Sequence, residues 1–178
     1  KRFVFQNTPG AGLVRNEGTI STPTGGSVYL IAPQVENAGT IVTPGGETIL
    51  AAGRTVEIGD TATPGVRVEI TGSDTAATNL GSIVAESGRI GMVGALVKNG
   101  GTLSASSAVS EGGRIFLRAT SAIEQTASGR IDANGTLGGQ ISLQSGDTTV
   151  LEGSLEATGS AGKGGQINVL GDNVGLFG

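Results

Sequence analysis

Seven pairs of strand-forming residues, each split by one spacer, recur along this chain and constrain its fold more than any other feature. They are Val28/Leu30, Thr48/Leu50, Val68/Ile70, Ile90/Met92, Ile115/Leu117, Ile141/Leu143 and Ile167/Val169. Their first members step by 20, 20, 22, 25, 26 and 26 residues. Glycine stands two residues before six of the pairs, at Gly26, Gly46, Gly88, Gly113, Gly139 and Gly165, and Val66 takes that place before Val68. Alternation of period two marks a strand with one buried face. Repeated at this spacing, it predicts a solenoid whose repeats bury their apolar edges only against their neighbours.

A second repeat runs in step with the first. Val14-Arg15-Asn16-Glu17-Gly18-Thr19-Ile20 returns as Val35-Glu36-Asn37-Ala38-Gly39-Thr40-Ile41, as Ala77-Thr78-Asn79-Leu80-Gly81-Ser82-Ile83, and as Val97-Lys98-Asn99-Gly100-Gly101-Thr102-Leu103. The asparagines are 21, 42 and 20 residues apart, so one turn, roughly 58–78, lacks the motif. Val68/Ile70 keep the register there, and the segment reads as a degenerate coil. A local hairpin excursion, favoured by Thr63-Pro64-Gly65, is the rival reading.

Each turn then has one plan. A short Gly-Thr-Ile strand is followed by a glycine bend, the strand with the apolar pair, and a third segment containing Val35, Val56, Leu96 or Val97, Ile123, Val150 and Val174. The predicted fold is all-β: a right-handed parallel β-helix of about seven coils of 20–26 residues, three short strands per coil. Its core column is Val28, Leu30, Leu50, Val68, Ile70, Ile90, Met92, Ile115, Leu117, Ile141, Leu143, Ile167 and Val169. Tyr29, Ile49, Phe116, Ser142 and Asn168 lie between those positions and are expected to point outward. Corner glycines are expected to adopt positive φ. Asn16, Asn37, Asn79 and Asn99 are expected to form a structural ladder of side-chain amides from coil to coil. Residues 1–105 carry the asparagine repeats; 106–178 continue the same solenoid with longer turns and no linker.

Composition narrows the function. With 33 glycines, no Trp and only 4 Phe and 1 Tyr, the core must be aliphatic. The glycines do not fall at every third position, which excludes collagen. Periodic apolar residues and a charged fraction of 15% argue against disorder. A net charge of -4, with the 11 basic residues scattered, argues against nucleic-acid binding. No apolar run is long enough for a membrane helix. Cysteine is absent, so disulfides and thiolate metal sites are impossible, and histidine is absent, so a Ser-His-Asp arrangement is too. No leader is visible before Lys1-Arg2-Phe3-Val4-Phe5, and both ends read as cut from a longer protein.

The remaining chemistry rests on charged residues. Glu47, Glu69, Glu86 and Glu111 lie near comparable corners, and Asp132, Asp147 and Asp172 punctuate turns. A carboxylate pair could serve glycoside cleavage, and stacked carboxylates could hold Ca²⁺. The Asp-rich nonapeptide of calcium β-rolls is missing, and the acids read better as solvated turn and ladder residues. Arg67, Arg89 and Arg114 could line an anion-binding groove; pairing with Glu57, Glu69 and Glu86 for solubility is the plainer reading. Tyr29, Ile31, Ile49 and Phe116 form either a contact patch or a surface under a loop. No cofactor, metal or catalytic residue is expected.

The segment from Gly25 to Ile41, followed by Ile49-Leu50-Ala51-Ala52-Gly53, resembles the filamentous haemagglutinin family. Asn79-Leu80-Gly81-Ser82-Ile83 with Gly88-Arg89-Ile90-Gly91, and the repeat at Val97–Leu103, extend the resemblance over about residues 1–120. It implies a large bacterial exoprotein exported by two-partner secretion through an outer-membrane β-barrel transporter. The chain would be the later part of the secretion domain and the start of the stalk. The family's Asn-Pro-Asn-type motif is not found, so transporter recognition falls on no residue here. The function this implies is a rigid β-helical scaffold in a secreted or surface-held filamentous adhesin, not an enzyme. A host or surface glycan or protein receptor, and lateral or end-to-end self-association, complete the expected partners. The stalk of a contact-dependent inhibition toxin and a polysaccharide-active β-helix enzyme are the alternatives.

Overall fold

The computed structural model describes residues 2–6, 10, 12–60 and 66–178; the side chains of Arg2, Asp60 and residues 66–69 lie outside that description. Every regular element among the described residues is a strand. The chain winds repeatedly through three faces of parallel strands, an all-β, β-helix-like architecture. The first face stacks Ser27–Ala32, Glu47–Ala52, the front of Arg89–Asn99, the front of Arg114–Gln125, Gln140–Ser145 and Gln166–Leu170. The second begins with Leu13–Asn16, Gln34–Asn37 and Ala76–Asn79 and ends with Thr148–Leu151 and Asn173–Leu176. The third runs from Thr19–Ser21 to Ser154–Glu156.

Register follows the sequence pattern. Val28, Thr48, Ile90, Ile115, Ile141 and Ile167 stand in one row, and Leu30, Leu50, Met92, Leu117, Leu143 and Val169 in the next. From Leu50 to Leu143 these side chains are at most 1% exposed; Ile167, on the last strand of the face, is 42% exposed. Thr48 is the one polar member, and its hydroxyl is satisfied by Thr43 Oγ1 at 2.9 Å inside the stack. Ile41, Ile83, Leu103 and Ile131 complete the core from the third face.

The segment read as a degenerate coil is a hairpin that leaves the stack. Thr55–Asp60 and Val66–Thr71 pair antiparallel, with Val68 opposite Ile58 and Ile70 opposite Val56. Arg2–Gln6 adds a third antiparallel strand on the other side of Thr55–Asp60. Val68 and Ile70 are therefore not part of the core column, and Val56 is not on the second face. Thr63-Pro64-Gly65 lie outside the described residues. The stack resumes at Ala76, directly over Gln34. On the second face Val97 points inward and Leu96 does not, and Thr149 is buried where Val150 was expected, because period two admits only one of two adjacent residues.

The antiparallel sheet has a reason to be there. Ile31, Ile49, Ala51, Val93 and Phe116 face outward from the first face, and Val56, Ile58 and Ile70 pack on them as a separate apolar cluster. Ile49, Ala51 and Val56 are fully buried. Of the two readings of Tyr29, Ile31, Ile49 and Phe116, cover by a local segment fits Ile31, Ile49 and Phe116. Gly91 sits in the same outward row as Phe116, and a Cβ there would strike the Phe116 ring.

The corner glycines meet the expectation of positive φ at Gly25 and Gly45, but not at the glycine two residues before each pair. Gly26, Gly46, Gly88, Gly113, Gly139 and Gly165 do not have positive φ. The left-handed residue comes just before, at Gly25, Gly45 and, with φ 56°, Ser87. What excludes a side chain at Gly46 is the Gly26 carbonyl oxygen of the preceding coil, which a Cβ would overlap. Gly88 meets the Gly46 carbonyl in the same way, and Gly113 that of Gly88. The column exists because coils close to backbone contact at this corner.

Candidate functional site

At the second corner the four repeat asparagines stack inside the solenoid. Asn16 Nδ2 donates to Asn37 Oδ1 at 2.8 Å, Asn37 to Asn79 at 2.9 Å, and Asn79 to Asn99 at 2.9 Å. Asn37, Asn79 and Asn99 are fully buried. Each of the first three amides also donates to the carbonyl two residues on, Gly18, Gly39 and Gly81. Meanwhile each ladder asparagine's main-chain carbonyl accepts from the next coil, as Asn37 does from Leu80 and Gly81. A buried amide needs such complete pairing, because an orphaned polar group costs about 1–3 kcal/mol.

Gln125 occupies the next register position after Asn99 and escaped the motif because it is not asparagine. Its longer side chain turns away: Nε2 donates to the Gly129 and Ser154 carbonyls, both at 3.0 Å. Asn99 Nδ2 and Gln125 Oε1 are both buried without partners. Leu151 and Leu176 follow in register, so the amide ladder gives way to leucine.

A shallow groove of about 620 Å³ runs along the glycine corner of the first face, with Arg89, Arg114, Glu47 and Glu111 on its walls. Arg89 and Arg114 are register neighbours. Arg89 Nη1 pairs with Glu47 Oε1 at 3.0 Å, with side chains only 19% and 12% exposed. The Tyr29 hydroxyl donates to the other carboxylate oxygen, Oε2, at 2.9 Å. Glu47 thus serves two donors from neighbouring coils, a role its corner position in the sequence did not reveal. The side chains of Arg67 and Glu69, in the hairpin, are outside the described residues.

Burial, with smaller contributions from Glu47, raises the Tyr29 pKa above its ordinary value near 10. The folded chain therefore favours the neutral phenol. That contribution to stability is present below about pH 10 and is lost as pH rises through the folded pKa. As Tyr29 is the single tyrosine and there is no tryptophan, the phenolate absorbance reports it alone. The titration midpoint should lie above that of the unfolded chain in guanidinium, and Glu47→Gln should bring it down. Equal midpoints in folded and unfolded chain would refute the burial of this hydroxyl.

The other acids do not gather. Asp132 is held by Arg130 Nε at 2.6 Å, and the same guanidinium reaches Glu156 at 3.2 Å. Asp132 Oδ1 is buried without a partner. Asp147 accepts from Asn173 and Thr148 at the surface, and Glu86, Glu111 and Asp172 are exposed. Among the described residues no three acids come together as metal ligands.

Family models and curated proteins returned no match to the chain. Solved structures did: the HMW1 secretion domain from Haemophilus influenzae matches 98% of this chain, with a TM-score of 0.76 and 31% sequence identity. The match takes in 46% of that protein's chain, so the present chain spans just under half its length. The repeats that resemble filamentous haemagglutinin and the stacked faces they build lead to one family: over nearly its whole length, this chain has the fold of a filamentous-haemagglutinin-like domain of two-partner secretion.

Proposed function

We propose that this chain is a rigid scaffold within a large secreted bacterial exoprotein, where it supports export through an outer-membrane β-barrel transporter and attachment to host or other surfaces. The observation that carries this reading is the match of 98% of the chain to a secretion domain at 31% identity. The winding is right-handed, and it makes a rod stiffened by main-chain ladders, aliphatic rows and stacked amides. Stiffness of this kind holds distal regions away from a cell without any chemistry of its own. The absence of cysteine suits passage through a narrow pore, since no crosslink has to be undone. Coil-by-coil stacking outside the membrane then draws the chain outward, because each added coil buries apolar surface that cannot return to the pore.

Ile115→Asp tests this mechanism in the full-length exoprotein co-expressed with its transporter. Ile115 is 1% exposed in the middle of the core. An unpaired charge there costs several kcal/mol and blocks the coil. Secretion should slow markedly, while Leu80→Asp, at a side chain 52% exposed, should leave it intact. Normal secretion of the Ile115 variant would sink the proposal.

A further inference from the structure

We propose that the groove along the glycine corner binds neutral oligosaccharides, gripping vicinal hydroxyls between the Arg114 guanidinium and the Glu111 carboxylate. Its volume of about 620 Å³ falls within the range of small-molecule sites. Six of the residues that line it are glycines, so few side chains crowd it. Arg89 and Glu47 are committed to each other at 3.0 Å. Arg114 and Glu111 are both exposed, and among the described residues neither side chain has a hydrogen bond or ion pair. The loop bearing Glu111 is tied to the groove by Ser87 Oγ, which donates to the Glu111 carbonyl at 3.0 Å.

The lining chooses the class of ligand. Two arginines and two glutamates line it, so the groove carries no net charge to favour an anion or a cation. No apolar side chain lines it, which disfavours lipid and hydrophobic peptide. A sugar diol fits both unpaired groups, since its oxygens accept from a guanidinium while its hydroxyl hydrogens donate to a carboxylate. Ser27, Ser87 and Ser110 also line the walls, with the Ser27 side chain hydrogen-bonded to Tyr29. With no aromatic ring to stack on, binding rests on hydrogen bonds and is expected in the millimolar range.

The site extends the attachment role above and depends on it only for its biological setting. Its test uses the purified chain, titrated with cellohexaose, maltohexaose and a sulfated oligosaccharide while amide resonances are followed. A neutral hexaose should shift Gly88, Gly112, Gly113 and Arg114, equally at low and high salt. Arg114→Ala and Glu111→Gln should each weaken binding about tenfold or more without changing thermal unfolding. The proposal fails if neither neutral sugar moves these resonances. It also fails if the sulfated sugar binds more tightly, in a salt-sensitive way that Glu111→Gln strengthens, because that is an anion site. Failure here leaves the scaffold reading standing, since secretion of the Ile115 variant judges that one.

Discussion

Gly46→Ala is expected to cost about 3 kcal/mol or more, a large effect for one added methyl group. The methyl would overlap the Gly26 carbonyl oxygen, and the atoms behind it are the Gly25 and Gly26 main chain. Backbone cannot rotate away as a side chain can. Either the two coils separate, breaking the bond from the Glu47 N–H to the Gly26 carbonyl at 3.2 Å, or the corner reshapes. Gly18→Ala supplies the contrast: nothing lies within 4 Å of its would-be Cβ. That variant should be neutral or gain up to about 1 kcal/mol from a stiffer unfolded chain. Gly39 occupies the equivalent motif position one coil later, where a Cβ would overlap the Gly18 carbonyl, and it should behave like Gly46. Chemical denaturation followed by circular dichroism measures all three. Equal losses at Gly18 and Gly39 would show that backbone flexibility, not coil contact, selects glycine here.

The amide ladder supplies the second large effect. Asn37→Ala removes the acceptor of Asn16 and the donor to Asn79, leaving one buried donor and one buried acceptor without their ladder partners. Asn79→Ala does the same between Asn37 and Asn99. Each should cost about 2–4 kcal/mol. Asn99→Ala should cost roughly half as much, about 1–2 kcal/mol, because its Nδ2 has no partner to lose. A gradient along the ladder, steepest in its middle, is the signature of stacked amides. Uniform losses at all three positions would mean that asparagine acts through its own corner's backbone alone.

Where the sequence was legible, a glycine two residues ahead marked every pair that joins the stack. Ile90/Met92 has both the glycine before it and an Asn-x-Gly motif after it, and it lies in the stack. Val68/Ile70 lacks the glycine, since Val66 stands in its place, and its motif at Asn79 comes nine residues after Ile70 instead of the seven that separate Leu30 from Asn37 and Met92 from Asn99. Alternation of period two describes any half-buried strand, so it could not distinguish parallel stacking from the antiparallel hairpin that Val66–Thr71 actually joins. Corner glycines were legible as corners but not in their cause, since close carbonyl approach and positive φ both demand the same residue. The role of Glu47 was hidden because its burial comes from Tyr29 and Arg89, 18 and 42 residues away. Gln125 was hidden by its extra methylene, which takes its amide to other carbonyls while its backbone keeps the ladder's register.

The antiparallel cover has a consequence for the order in which the chain assembles. Stacking one coil on the last closes a loop of one repeat, whereas Arg2–Gln6 finds its partner only in Thr55–Asp60, some fifty residues later. Loop entropy makes this longer closure only about 0.6 kcal/mol dearer per doubling of length, so it is thermodynamically mild. In time it is not: a chain emerging from its N-terminal side has two coils of the first face built before that strand can pair. Ile31 and Ile49 then wait uncovered, and the cluster closes fully only when Val93 and Phe116 arrive from later coils. The cover is thus a late clasp whose two halves belong to different moments of synthesis. Its non-local pairing makes it the slow, high-contact-order event in an otherwise sequential fold.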